Sequence, residues 1–290
     1  MSKKVMAAIL GLLISGCTSS SVRNPAMIGG SQVRAKSGVF LGDCSGTMIA
    51  PHIILTAGHC VYSYKESREL GPLLHKGREI LINSFDGPDE KNIKRTFIVE
   101  IDRTEVHPSW KIALKNPQKS ADVAADAPTV SDVGLVFLKQ KLPVETAVLP
   151  GPDLLDQMPS DVIGFAVLGA GCTRRGDDFS AGAMKGALYN RASVKSHKVL
   201  VAPQDAITEA PAGPCKKDSG GGAFLLDKSA KNFESGPVVG VSSIMAGTAE
   251  DAMREAPTAF YIARIDRKDV LEWIQSKMKG KAPKETAPSL

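Results

Sequence analysis

One short segment of this 290-residue chain combines a hydroxyl nucleophile with a backbone suited to close approach. Within residues 213–224, Ser219 is preceded by Asp218 and followed by three consecutive glycines. Glycine adopts backbone conformations that other residues avoid, so such a turn suits a hydroxyl that must stand clear of its backbone. Asp-Ser-Gly tripeptides also occur in solvated loops, so the segment alone leaves a catalytic site and a surface loop both open. Asp218 is too close in sequence to act as the base for Ser219, and we expect it to have a structural partner.

A serine hydroxyl becomes a strong nucleophile when a base takes its proton and a third group orients that base. His59 follows the apolar run 53–57 and Gly58, which places it at the end of a predicted strand. Asp132 directly precedes the apolar run 133–138, where a carboxylate can be largely desolvated. For either residue alone the alternatives are a core histidine with satisfied hydrogen bonds and an aspartate that caps a strand.

In the order His, Asp, Ser, the three segments resemble the chymotrypsin/trypsin family of serine endopeptidases. Residues 56–60 (Thr-Ala-Gly-His-Cys) are similar to the histidine motif of that family, and residues 132–135 (Asp-Val-Gly-Leu) to its aspartate motif. Residues 218–221 (Asp-Ser-Gly-Gly) are similar to its serine motif. Further likenesses follow in the family's order at residues 44–49, 107–110, 169–171 and 257–261. The resemblance covers roughly residues 27–277.

The resemblance implies an all-β fold of two packed six-stranded antiparallel barrels with a C-terminal helix. The local pattern agrees, because apolar runs bounded by turn residues predict strands. These runs are 38–41, 46–49, 53–56, 80–82, 96–101, 133–138, 162–168, 192–201, 222–226, 238–244 and 258–263. Helical periodicity is confined to 268–277, where Val270, Trp273 and Ile274 share one face. We expect a peptidase domain over 27–277, with a first barrel at about 27–150 and a second at about 151–265.

The resemblance also implies the role of each site residue. His59 is the expected base, Asp132 orients it, and Ser219 attacks the substrate from the cleft between the barrels. The backbone N–H groups of Lys217 and Ser219 are expected to face the oxyanion. The family favours glycine where this chain has Lys217. The resemblance therefore predicts the fold but does not predict the turnover rate.

Substrate preference is expected from the residues that align with the family's specificity pocket. Gly213 stands at the position that lines the pocket floor, so an acid that would select Arg or Lys is missing there. Met245 and Thr258 stand where glycines would leave a deep pocket. Bulk at both positions resembles elastase-like members and predicts a small aliphatic residue before the scissile bond.

The N-terminus is typical of a bacterial lipoprotein. Lys3 and Lys4 precede an apolar stretch that is too short to span a bilayer, as in a secretory signal peptide. The following Ile-Ser-Gly-Cys predicts that residues 1–16 are removed and that Cys17 is lipidated, and a plain signal peptide cut nearby is the alternative. Residues 17–26 are expected to be a tether, with the outer membrane favoured over the inner. The Lys/Pro/Ala-rich tail 278–290 is expected to be disordered.

Residues 27–30 resemble the family's mature N-terminus, which implies that the amine of Met27 pairs with Asp218 after cleavage. Ala26 precedes Met27, so a trypsin-like activating protease does not fit that bond. Cleavage there would also detach the domain from Cys17, so we hypothesise an anchored inactive precursor that is released on activation.

The cysteines suit an oxidising compartment. Four of the five cysteines remain after Cys17 is set aside. The resemblance implies a bridge between Cys44 and Cys60. The family pairs the cysteine before the serine with one further downstream, which this chain lacks, so a Cys172–Cys215 bridge is expected instead.

The resemblance implies protein or peptide substrates, and the charge pattern argues against nucleic acid as a partner. The net charge of +5 is modest and scattered, without a basic stripe interleaved with aromatics, which argues against nucleic-acid binding. No cofactor or metal is expected; the acidic residues of segment 83–94 (Asp86, Asp89 and Glu90) leave calcium open but favour a solvated turn. We expect a monomer that contacts the membrane through the lipid on Cys17. The alternative function is a catalytically idle, envelope-bound binding module, which Lys217 favours.

Overall fold

In a computed structural model, the protein is described over nine stretches of the chain. These are residues 31–33, 35–64, 70–85, 95–115, 129–158, 162–171, 184–203, 217–245 and 260–279. In chain order the strands are β1 Ser31–Gln32, β2 Ala35–Phe40, β3 Ser45–Ala50, β4 Ile53–Thr56, β5 Tyr62–Tyr64, β6 Leu70–Pro72, β7 Glu79–Phe85, β8 Arg95–Val106, β9 Gly134–Leu138, β10 Val162–Gly169, β11 Lys185–Lys195, β12 Lys198–Pro203, β13 Gly222–Asp227, β14 Val238–Met245 and β15 Phe260–Arg264. The helices are α1 Gly58–Val61, α2 Pro108–Leu114 and α3 Lys268–Met278.

The first half of the chain forms a closed barrel in the order β2-β3-β4-β9-β8-β7. Alternation along β7 explains its place in the wall, because Ile80 and Ile82 are buried while Leu81 is 58% exposed. Strand β9 is buried along its whole length, as its uninterrupted apolar sequence predicts. Strands β5 and β6 form a separate two-stranded ribbon.

The second half forms a seven-stranded antiparallel sheet in the order β1-β11-β10-β13-β14-β15-β12, and it curls so that β11 also pairs with β12. Strand β1 comes from the start of the described chain and adds to the edge of β11. The sheet therefore contains one strand more than the six expected from the sequence. The all-β, trypsin-like architecture with a C-terminal helix is confirmed.

One continuous apolar core joins the two halves. Phe85 and Phe137 of the first barrel belong to the same buried cluster as Leu168 and Phe224 of the second sheet. Ile274 of α3 is fully buried in this cluster as well, so the helix closes the core. Burial of such large apolar side chains stabilises a fold by about 1.5–3 kcal/mol each, which makes the interface between the halves a rigid base for a site.

The prediction of a single strand over 192–201 is wrong. Lys195 pairs with Lys198, and the chain reverses at Ser196 and His197 to form the β11–β12 hairpin. The turn lacks the Asn-Gly or Asp-Gly pair by which two-residue hairpins are usually recognised, so the sequence resembles an uninterrupted strand. The reversal places His197 at the tip of the second sheet.

The segment between β9 and β10 is bound to the second half of the chain, because Asp153 N donates to Asp266 O at 2.7 Å and Leu155 N donates to Asp266 Oδ2 at 2.8 Å.

The helices in the described stretches are all too short or too polar to span a bilayer.

Candidate active site

His59 and Asp132 form the centre of the site. Strand β4 ends at Thr56, Ala57 is extended, and α1 begins at Gly58, which carries His59 toward β9. His59 Nδ1 lies 2.8 Å from Asp132 Oδ2, and His59 N donates to Asp132 Oδ1 at 2.8 Å. The two bonds fix both the ring and the backbone of His59. A Cβ at Gly58 would lie 3.0 Å from Asp132 Oδ1, so glycine there permits the close approach.

The carboxylate of Asp132 is completely buried, and opposing effects act on its pKa. Burial by itself would raise the pKa of Asp132. The charge and hydrogen bonds of His59, together with a hydrogen bond from Ser243, hold that pKa below its ordinary value. Ser243 Oγ donates to Asp132 Oδ2 at 2.6 Å. A buried carboxylate with these donors can orient an imidazole and stabilise its protonated form.

Ser219 lies beside this pair. Its hydroxyl donates to the carbonyl of Ser243 at 3.3 Å, so Ser243 contacts Asp132 with its hydroxyl and Ser219 with its carbonyl. The carbonyl of Ser219 accepts from Ser45 N at 2.9 Å and lies 3.7 Å from the sulfur of Cys60, the neighbour of His59. The structure therefore links Ser219 to Asp132 through Ser243, and His59 is bonded to the same carboxylate.

The loop that carries Ser219 has the left-handed backbone its glycines suggest, and a lysine shares it. Gly220 has φ +84°, and a Cβ there would lie 2.0 Å from Thr56 Oγ1 and 2.4 Å from Ser45 O. Lys217 has φ +74°, a conformation that favours glycine. Its carbonyl accepts from Ser45 Oγ at 2.9 Å, and Ser45 Oγ accepts from Ala170 N at 3.0 Å. These hydrogen bonds hold Lys217 in the backbone conformation that the family's glycine would adopt at this position.

Asp218 points away from the nucleophile into the second half of the molecule. It is fully buried, and its Oδ1 accepts a hydrogen bond from Gly171 N at 2.8 Å. A Cβ at Gly169 would lie 2.2 Å from Asp218 Oδ1, so this approach requires glycine. Met27, the partner expected from the sequence, lies outside the described residues.

Cys44 and Cys60 form a disulfide that closes a 16-residue separation next to His59. Within the part of the chain described here, Cys44, His59 and Cys60 are the one cluster with the spacing of metal ligands. Because both sulfurs are joined to each other, the cluster offers no thiolates to a metal.

Met245 ends β14, where it pairs with Phe260. The other predicted site residues lie outside the described residues: Cys17, Cys172, Gly213, Cys215 and Thr258.

Sequence reasoning missed the residues that join the pieces of the site. It assigned no role to the hydroxyls of Ser243, Ser45 or Ser131. Serines in apolar strands carry no local mark of function, so only their partners far along the chain reveal them.

Comparison with known proteins matches residues 25–274 to the family described as Trypsin. Scolexin B from Heliothis virescens is 29% identical over 252 residues, which cover 82% of this chain and 75% of that protein. A solved structure of a mutant of human heparin binding protein aligns with TM-score 0.57 at 16% identity. The alignment covers 91% of this chain and 100% of that chain. At 16% identity it supports the fold alone.

Proposed function

The chain belongs to the trypsin family, and from this premise we propose that it is a serine endopeptidase that cleaves peptide bonds through an acyl-enzyme. The observation that carries the proposal is the contact between the imidazole of His59 and the buried carboxylate of Asp132, at 2.8 Å. Ser219 is linked to that carboxylate through Ser243. A buried acid, an oriented base and an adjacent hydroxyl are the three groups that nucleophilic acyl transfer needs.

In the proposed mechanism, Ser219 Oγ attacks the carbonyl carbon of the scissile bond while His59 takes the hydroxyl proton. His59 then gives this proton to the leaving amine as the C–N bond breaks. Water next attacks the acyl carbon while His59 takes a proton from water. The ester bond between the acyl carbon and Ser219 Oγ then breaks, His59 returns the proton to Oγ, and the carboxylic acid product is released. Asp132 holds the ring of His59 in place and stabilises its protonated form.

The backbone N–H groups of Lys217 and Ser219 are proposed to stabilise the oxyanion. The positive φ of Lys217 supports this role, because the loop keeps a glycine-like backbone despite the side chain. Loss of one such donor typically costs about 3–4 kcal/mol in transition-state stabilisation.

The proposal includes a preference for a small aliphatic residue before the scissile bond, set by Gly213, Met245 and Thr258. A peptide-library cleavage profile of the processed protein tests this preference.

Localisation and activation are part of the proposal as well. We place the precursor on the bacterial envelope through a lipid on Cys17, with release after cleavage between Ala26 and Met27. The complete burial of Asp218 supports a charged partner inside the domain, and the amine of Met27 is the proposed one. N-terminal sequencing of the active form tests the idea, and an active chain that still begins at Cys17 would contradict it.

The central experiment is labelling of the processed protein with a fluorophosphonate probe, beside a Ser219→Ala control. We expect wild-type labelling and no labelling of the variant. If labelling does not depend on Ser219, the idle binding module becomes the better description. A comparison of peptide and ester turnover then separates an endopeptidase from a general esterase.

A further inference from the structure

A second hydrogen-bonded cluster lies directly behind the proposed active site. Ser131 precedes Asp132 and is fully buried, and its Oγ lies 2.7 Å from His197 Nδ1. Ser131 belongs to the first barrel, whereas His197 is at the tip of the β11–β12 hairpin of the second sheet. This hydrogen bond therefore crosses between the two halves, one residue from the carboxylate that orients His59.

His197 is itself held on two sides. Its carbonyl accepts a hydrogen bond from Arg264 N at 2.9 Å, and its Nε2 lies 3.8 Å from Asp269 Oδ2 on helix α3. The groups that act on the imidazole are Asp269, Arg267, Arg264 and Lys198, and His107 lies near enough to interact with it.

The groups around the ring of His197 determine which of its two nitrogens accepts the hydrogen bond from Ser131. Burial lowers the pKa of His197, and the three cations lower it further against the opposing charge of Asp269, which favours the neutral ring. A carboxylate on the Nε2 side favours the proton on Nε2. Nδ1 then accepts a hydrogen bond that the hydroxyl of Ser131 donates.

The backbone around Asp132 is also held from within the first barrel. Ser131 N donates to Ser109 Oγ at 3.0 Å, and His107 N donates to Val133 O at 2.9 Å. These contacts fix the segment relative to helix α2. They do not fix it relative to Ser243, which comes from the second sheet and must meet the same carboxylate as His59.

We propose that His197 is a positioning residue of this site, which holds Ser131 and so keeps Asp132 aligned with both His59 and Ser243. The proposal rests on the proposed peptidase function, since it assigns a role in that chemistry to a residue that does not touch substrate. The carboxylate of Asp132 accepts bonds from both halves at 2.6–2.8 Å, so a small rotation of its backbone weakens one of them. A mere structural tie would affect stability alone.

The chain offers a matched pair of substitutions for the test. In His197→Asn the amide reaches the position of Nδ1 and can still bind Ser131. In His197→Gln the amide extends toward the position of Nε2 and leaves Ser131 without its partner. Ser131→Ala removes the other side of the bond with a smaller change of volume, and it serves if His197→Gln does not fold.

The first readout is inactivation of the processed protein by a fluorophosphonate, analysed as the limiting rate and the half-saturating concentration. We expect His197→Gln and Ser131→Ala to lower the limiting rate about three- to tenfold, as the loss of one buried hydrogen bond implies, with the half-saturating concentration unchanged. His197→Asn should stay within about twofold of wild type. The double variant Ser131→Ala/His197→Gln should be no slower than either single one, because both remove the same bond.

The second readout does not depend on activity. NMR titration of the His59 ring should show its midpoint about half a pH unit or more lower in His197→Gln and Ser131→Ala, because a misaligned Asp132 stabilises the protonated ring less. His197→Asn should restore the wild-type midpoint. If the midpoint and the limiting rate match wild type in His197→Gln while only the melting temperature falls, His197 is a structural tie and the proposal is wrong. If wild type is not labelled at all, the peptidase function fails, and the titration alone still decides the role of His197.

Discussion

Ser243 donates its hydroxyl to Oδ2 of Asp132 at 2.6 Å, and its own carbonyl accepts the hydroxyl of Ser219 at 3.3 Å. A single residue of β14 thus contacts both the acid and the nucleophile. We predict that Ser243→Ala slows inactivation by a fluorophosphonate roughly ten- to a hundredfold, because a hydrogen bond to a charged group contributes about 1.5–3 kcal/mol. The backbone carbonyl remains, so the contact with Ser219 is kept.

The neighbouring serine supplies the control for this experiment. Ser242 is 2% exposed, and its backbone carbonyl, which a substitution to alanine keeps, accepts from Gly220 N at 2.7 Å. Ser242→Ala should therefore react at the wild-type rate. Equal effects of the two substitutions would mean that loss of packing explains the result, and the role of the Ser243 hydroxyl would be refuted.

Lys217 holds a backbone conformation that disfavours its side chain. At φ +74° a residue with a Cβ typically costs about 1–2 kcal/mol relative to glycine. We predict that Lys217→Gly is more stable than Lys217→Ala by about 1 kcal/mol, or about 2–4 °C in melting temperature. Both variants lack the ammonium group, so their difference isolates the backbone term.

The ion pair between Lys217 and Asp43 should contribute little to stability. The Nζ of Lys217 lies 3.8 Å from Asp43, whose side chain is 91% exposed, and exposed ion pairs contribute little to stability. Asp43→Ala, which removes this ion pair, is thus expected to be close to wild type in urea unfolding. A variant Lys217→Gly that is no more stable than Lys217→Ala would show that the loop relaxes to another conformation in solution.

The buried guanidinium of Arg264 should be a large contributor to stability. It is 1% exposed and donates to both oxygens of Asp266 at 2.8 and 2.7 Å, and to Asp156 at 2.9 Å. We predict that Arg264→Met lowers the free energy of unfolding by about 3–5 kcal/mol, because Asp266 is left as a buried charge without this partner. Urea unfolding followed by tryptophan fluorescence measures the loss.

A double variant identifies the cause of that loss. Arg264→Met/Asp266→Asn removes the uncompensated charge and should recover part of the stability. If the double variant is less stable than Arg264→Met, lost packing and the bond from Leu155 N to Asp266 dominate, and the explanation by the buried charge is wrong.

Stability should fall as the pH drops below about 6.5, the ordinary pKa of histidine. Burial lowers the pKa of His52, His107 and His197 in the folded state, so the unfolded chain binds protons that the folded chain excludes. Stability therefore rises with pH through this window and is fully present above it. Urea midpoints at pH 7.5, 6.5 and 5.5 should decrease in that order.

Two variants check the sign of this effect. His107→Asn should flatten the dependence on pH. Glu234 acts in the opposite direction, since burial raises its pKa above the ordinary value, and Glu234→Gln should make the dependence steeper. A urea midpoint that does not change between pH 7.5 and 5.5 in wild type would contradict the explanation.

Local sequence was sufficient to predict the strands of the first barrel and to indicate His59, Asp132 and Ser219 as candidates for catalysis. The apolar run before Gly58 predicted β4, and the run after Asp132 predicted β9. These features are local, because a buried strand is recognised from consecutive apolar side chains and a glycine-rich turn from consecutive glycines. The family resemblance then supplied the order His59, Asp132, Ser219 and the fold class.

The tertiary structure decided which side chains meet around those groups. The partners Ser243–Asp132 and His197–Ser131 are separated by 111 and 66 residues along the chain. The reversal at Ser196 and His197 lacks a turn signal, and the φ of Lys217 contradicts its residue type. Such features depend on the packing of one half of the molecule against the other, and periodicity within a segment carries no information about them.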